Sequence, residues 1–250
     1  MDVVVDSPDA PDPRHRVRRR LLRRLADVLL IAGGLVLSYP FWSAGYAQVQ
    51  QTRLDSAYQD RAAAFAPLAA ATTRESRAEH VSKKEAVRRL GVLFGARLGA
   101  GDPIGRLRIP AIDLDRLVQQ GSRSGGGLDP DADRKLLRSG PVHYAVTPLP
   151  GVGDPFAVAG HRTTYGAPFY RLDKLRRGDA IFVDTPYARF EYTVARTTVV
   201  LPTDVGVLYD RGYGLVLTTC TPPYSASHRL IVWGELERVT PLKETPVPGS

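Results

Sequence analysis

The chain has 250 residues, 43% hydrophobic and 24% charged, which is too apolar and too long for a disordered polymer and enough for one core of roughly 100 to 200 residues with appendages. Its net charge of +8 would suit nucleic acid if it were spread over a folded face, but seven arginines are packed into Arg14–Arg24, so no nucleic-acid partner is read from it. The single cysteine, Cys220, excludes a disulfide framework, a cysteine zinc site or a cysteine-held cluster within one chain.

Residues 1–27 form a basic arm. Residues 28–47 then run for twenty positions without a charge, about the length that crosses a ~30 Å hydrocarbon core as a helix. The arginines lie before this segment, and Tyr39, Trp42 and Tyr46 cluster in its second half, where an aromatic belt sits. The reading is an uncleaved transmembrane anchor with a cytoplasmic N-terminus and everything after residue 47 outside. A cleaved signal peptide and a buried core helix are the alternatives. Residues 48–100, rich in Ala, Arg and Glu, read as a helical or partly disordered stalk, with Pro67 interrupting any single helix.

From Gly101 to about residue 240 short apolar or alternating runs recur between turn signals: 104–109, 116–120, 155–159, 180–184, 190–201, 215–220 and 229–239. Short helical stretches are expected only near 132–138 and 169–175. Seven or eight such strands predict a mostly antiparallel β-barrel or sandwich. Residues 241–250 read as a frayed tail.

Three residues could carry chemistry. Cys220 ends the run Leu215–Thr219, and Pro222-Pro223 prevent the strand from continuing. His161 ends a second apolar strand, and a histidine beside a thiol is what a sulfur nucleophile needs. Arg229 opens the next alternating strand, nine residues after Cys220. If these two strands are antiparallel neighbours, Cys220 and Arg229 both sit at the loop end, where a guanidinium can stabilise a thiolate or an oxyanion. Asp129, Asp131 and Asp133 lack the Gly and terminal Glu of a calcium loop, so no metal and no cofactor is expected.

The run LVLTTCTPPYSASHRLIVWGEL resembles the sortase signature of a strand ending in TLxTC, a loop and an Arg on the next strand. GPVHY, TPLPG and AVAGHRTTYGAPF resemble that family's histidine region in the expected order. The resemblance covers roughly residues 102–239 and is greatest to class E, the housekeeping type of high-GC Gram-positive bacteria. Gly153-Asp154-Pro155-Phe156 stands where an Asn often precedes the strand, and Val216 where Thr is common. The resemblance implies a closed eight-stranded β-barrel that acts as a cysteine transpeptidase on the cell wall. Cys220 would attack the carbonyl after Thr in a C-terminal LPxTG- or LAxTG-like sorting signal, His161 would protonate the leaving amine, and Arg229 would hold the oxyanion. The implied partners are proteins bearing sorting signals and a peptidoglycan-precursor amine, at the membrane. Thr219, Tyr165 and His143 are the expected substrate-binding residues. The rival reading is a non-catalytic anchored barrel that binds a wall polymer or protein, with Cys220 inert.

Overall fold

The computed structural model describes residues 13–122, 133–210 and 212–241. The Gly125–Gly127 turn, Asp129, Asp131, the tail beyond residue 241 and the first twelve residues of the arm lie outside the described residues. The chain divides into two compact units, Met1–Trp42 and Ser43–Ser250.

Helix α1 spans Pro13–Ala78. In the first unit it is long and apolar enough to cross a membrane, and Leu30, Leu35, Val36, Leu37, Phe41 and Trp42 are all exposed. A run of large apolar side chains around a whole helix suits hydrocarbon rather than water.

In the second unit α1 turns one stripe inward. Ser43, Ala47, Gln51, Phe65, Thr72 and Ser76 are buried at helical spacing. Ser43 and Ala47 fall within the expected span 28–47, and they belong to this compact unit. The expected break at Pro67 does not occur, and the helix runs through it. The ~3 kcal/mol that proline costs a helix interior is set against packing on either side, where Phe65, Leu68 and Ala69 join the core. Helix α2 (Lys83–Gly95) starts at Ser82, whose hydroxyl accepts the Glu85 amide at 3.2 Å. It buries Val87, Leu90 and Phe94. Phe94 packs edge-on against Phe65 at 5.2 Å and lies 5.8 Å from Tyr187, so residues 48–100 contribute side chains to the barrel core.

Eight strands follow: β1 (Pro103–Ile109), β2 (Leu114–Gln120), β3 (Val142–His143), β4 (Phe156–Ala159), β5 (Ala180–Asp184), β6 (Ala188–Val200), β7 (Leu215–Thr221) and β8 (His228–Pro241). Between β2 and β3 lies the short helix α3 (Arg134–Leu137). The strands close a barrel in the order β1-β2-β3-β4-β7-β8-β6-β5. Pairing is antiparallel except for β2 with β3 and β4 with β7. The closed barrel expected from the resemblance is therefore present. The two-residue β3 is too short to show periodicity. Near 169–175, only Leu172–Lys174 form a 3-10 turn.

Strand alternation sorts side chains between two layers. Phe156 and Val158 of β4, Leu215 and Leu217 of β7, and Leu230 and Val232 of β8 fill the main core. Ala157, Ala159, Val216, Ile231 and Trp233 point the other way, into a second cluster closed by Leu137, Tyr144 and Leu208. Burial on both faces is why these three strands read as continuous apolar runs.

Candidate active site

The site forms where β4 and β7 end and β8 begins. Cys220 stands opposite Arg229 in the β7–β8 ladder, one pair before it ends at Thr221 and His228. Directly opposed residues share a face, with Cβ atoms about 4.5 to 5.5 Å apart. β4 lies parallel to β7 with Ala159 beside Thr218, and the Gly160 amide donates to the Thr218 carbonyl at 3.1 Å. β4 ends at Ala159, and His161 follows it by two residues, as Cys220 follows Thr218 on β7. Cys220 and Arg229 fall on the parity of Val216 and Ile231, the face turned away from the main core.

The three differ in exposure. Cys220 and His161 are partly exposed, whereas Arg229 is buried. The Arg229 Nη1 donates to the carbonyls of Ala226 at 3.0 Å and His228 at 3.3 Å, tying down the loop that returns from Cys220. The His161 ring packs against Tyr165 at 5.4 Å, and its Nε2 is buried without a hydrogen-bond partner. Burial, followed by the nearby Arg138 and Arg134 guanidiniums, lowers the His161 pKa from the ordinary 6.5. The imidazole is thus neutral at neutral pH and ready to accept a proton.

Sequence reasoning missed Arg162. It is 5% exposed. Its Nη2 pairs with Asp173 at 3.2 Å, and its Nη1 approaches both the Cys220 carbonyl and the Thr221 hydroxyl at 3.5 Å. The available signal was its place immediately after His161.

Parity separates the remaining expected site residues. Thr219 points toward the interior, is 3% exposed, and donates its hydroxyl to the Gly160 carbonyl at 2.8 Å. It clamps the ends of β4 and β7 together and does not line the face carrying the sulfur. His143 is also interior, stacked on Phe156 at 4.8 Å. Both of its ring nitrogens are engaged, Nδ1 with Gln120 Oε1 and Nε2 with Thr147 Oγ1, each at 3.0 Å. Burial pushes its pKa down to about 3. A substrate contact through that ring, expected from sequence, has no surface to act through. Tyr165 alone of the three lies against His161. Among the described residues no group of three His, Cys, Asp or Glu side chains could hold a metal.

The Sortase domain family model matches residues 107–237. Sortase SrtE2 of Streptomyces coelicolor is 30% identical over 249 aligned residues, covering 89% of this chain and 85% of that protein. Sortase SrtE1 of the same organism is 34% identical over 157 residues, 56% of this chain and 42% of the relative, so the chain spans less than half of SrtE1. Among solved structures, the SrtF sortase from Corynebacterium diphtheriae is similar with a TM-score of 0.51 and 25% identity, over 61% of this chain and 93% of that one.

Proposed function

Because the chain belongs to the sortase family of transpeptidases, we propose that it is a membrane-anchored cysteine transpeptidase that cleaves an LPxTG- or LAxTG-like sorting signal after Thr and transfers the acyl group to a cell-wall precursor amine. The observation that supports this reading is the pairing of Cys220 with Arg229 at the end of the β7–β8 ladder, with His161 two residues beyond the end of β4, the strand beside β7.

In the proposed reaction His161 takes the Cys220 proton and the sulfur attacks the Thr carbonyl carbon. The electron pair of the C=O bond moves to oxygen, where Arg229 holds the charge. Collapse of this tetrahedral intermediate breaks the C–N bond. The imidazolium returns its proton to the departing amine, leaving a thioester on Cys220. An incoming amine gives up a proton to His161 and attacks the thioester carbon, and the C–S bond breaks to release the new amide and the thiolate. The Thr219 hydroxyl on Gly160 and the Arg162 guanidinium beside the Cys220 carbonyl hold the two strand ends at a fixed separation. The exposed apolar helix is the anchor, with the arginine-rich arm in the cytoplasm and the barrel outside.

Mass spectrometry of the full chain in detergent, mixed with LPxTG- and LAxTG-type peptides, tests the reading. An acyl adduct on Cys220 that an added amine removes is the expected result. Peptide binding with no adduct assigns the barrel to a non-catalytic binding role instead.

A further inference from the structure

A chain of ring contacts leads from α1 to the candidate base. Tyr46 meets the Tyr165 ring edge-on at 6.3 Å, and Tyr165 lies 5.4 Å from the His161 ring. The Arg138 guanidinium carbon lies over the Tyr165 ring, 5.6 Å from its centroid. The same stretch of α1 holds the segment bearing Arg138. Gln51 accepts the Leu117 amide at 2.8 Å and donates to the Ser139 carbonyl at 2.8 Å. Two neighbours of His161 are therefore fastened to one short length of helix.

The loop after His161 needs such support. Tyr165, Gly166 and Ala167 have φ of +51°, +73° and +43°, and for the two non-glycine residues the left-handed region costs of order 1 kcal/mol or more each. Such a conformation persists only where its surroundings hold it. Hydrogen bonds brace the loop from the Ala167 amide to the Thr164 carbonyl at 2.9 Å, from the Phe169 amide to the His161 carbonyl at 3.1 Å and from the Tyr170 amide to the Ala167 carbonyl at 3.0 Å. Further support comes from α1. Buried Ala47 lies beneath Gly166, where a Cβ would come within 3.5 Å of the alanine methyl, and Tyr46 covers Tyr165.

We propose that the Ser43–Gln51 segment of α1 is a positioning part of the active site, holding the His161 ring through Tyr165 and Arg138. This rests on the transpeptidase reading for its kinetic consequence, though the contacts do not depend on it. This segment, which overlaps the end of the apolar span 28–47, thereby positions the base.

The titratable and charged groups around His161 are Arg134 and Arg138 from α3 and its end, Tyr46 from α1, Tyr165 and the Arg162–Asp173 pair on its own loop, Cys220 on β7 and Arg229 on β8. Removing the Tyr46 ring loosens Tyr165, admits water to the imidazole and frees Arg138 to move away. Both changes raise the proton affinity of His161.

The test uses full-length protein in detergent with isotopically labelled histidine, the His161 resonance being the one lost in His161→Gln. Tyr46→Ala is expected to move the His161 titration upward toward 6.5 and to lower kcat about tenfold with KM little changed, since ångström-scale misplacement of a reacting group costs up to about 100-fold. Tyr46→Phe keeps the ring and is expected to restore both. Tyr46 is already 43% exposed, so the thermal midpoint is expected to fall by no more than about 2 to 4 °C. A Tyr46→Ala protein whose His161 titrates as in the parent overturns the proposal. Absence of any Cys220 adduct in the parent protein overturns the transpeptidase reading instead, and the titration still reports on the helix contact.

Discussion

Cys220 and Arg229 face each other across the β7–β8 ladder at the last pair but one before the strands part. Nine residues of sequence separate them, yet Pro222-Pro223 and the short loop fold the chain back so that both project from one face. The guanidinium is buried and already bonded to two loop carbonyls, so it is held in place before any substrate arrives. Preorganised donors of this kind stabilise developing charge without having to reorient during the reaction.

Replacing the sulfur tests the nucleophile. Cys220 is partly exposed at a strand end, so Cys220→Ala is expected to keep the folding free energy within about 0.5 kcal/mol of the parent's while removing the acyl adduct and all turnover. Transfer of peptide to an amine by this variant would show that another residue attacks.

Two substitutions test the proposed oxyanion role of Arg229 beside its observed bonds to the loop. Lys keeps the charge but loses the planar fork, and Ala loses both. Loss of one oxyanion donor costs about 100- to 1000-fold in rate, so Arg229→Lys is expected to retain a small fraction of acylation and Arg229→Ala less. Arg229→Ala also forfeits the bonds to Ala226 and His228, at about 0.5 to 1.5 kcal/mol each, and should show greater mobility in the 221–228 loop. Single-turnover acylation at the parent rate in the alanine variant would assign Arg229 to loop packing alone.

His143 sets an acid limit to stability. Its pKa falls from 6.5 in the unfolded chain to about 3 in the fold, because burial penalises the charged ring. Between those values the unfolded state binds more protons than the native one, so stability rises with pH through this window and is complete above 6.5. The expected loss on acidification is on the order of several kcal/mol. Urea melts from pH 7 down to pH 4 should show it, and His143→Gln should flatten the slope. An equally steep slope in that variant would place the acid sensitivity elsewhere.

The helices before the barrel contribute to its core. Phe94 is 1% exposed, and Phe94→Ala is expected to cost about 3 to 5 kcal/mol, read from denaturant unfolding. A protein beginning at Gly101 loses Phe65, Val87, Leu90 and Phe94 together and should melt far below the full chain. Equal melting temperatures would mean that these contacts are weak.

The proposed orientation rests on the arginines ahead of the apolar span. Protease added to intact protoplasts is expected to digest residues 101–250 and to spare the arm. Protection of the barrel in whole protoplasts reverses the topology.

The apolar span, the strand-rich region after residue 101 and the ends of β4, β7 and β8 were legible in the sequence because local pattern determines them. Twenty uncharged residues need no partner to be recognised, and proline pairs, glycines and alternating runs mark where strands stop. The sequence motifs proposed His161, Cys220 and Arg229 as the reactive residues, a reading the variants above test. What lay beyond the sequence were properties that depend on the neighbours of each strand and helix. Pro67 reads as a helix break until Phe65, Leu68 and Ala69 are seen packing against the barrel on either side of it. His143 and His161 both follow short apolar runs, yet His143 lies within a strand, paired with the core residue Val158, whereas His161 is partly exposed in the loop beyond the end of β4. Arg162 was marked only by its place after His161 and Tyr46 only as one of the aromatics in the apolar span, since their contacts are with residues far away in the chain. Local composition determined which segments are continuously apolar, turn and extend, and only the closed barrel, by setting register and parity among strands distant in sequence, decided which side chains meet.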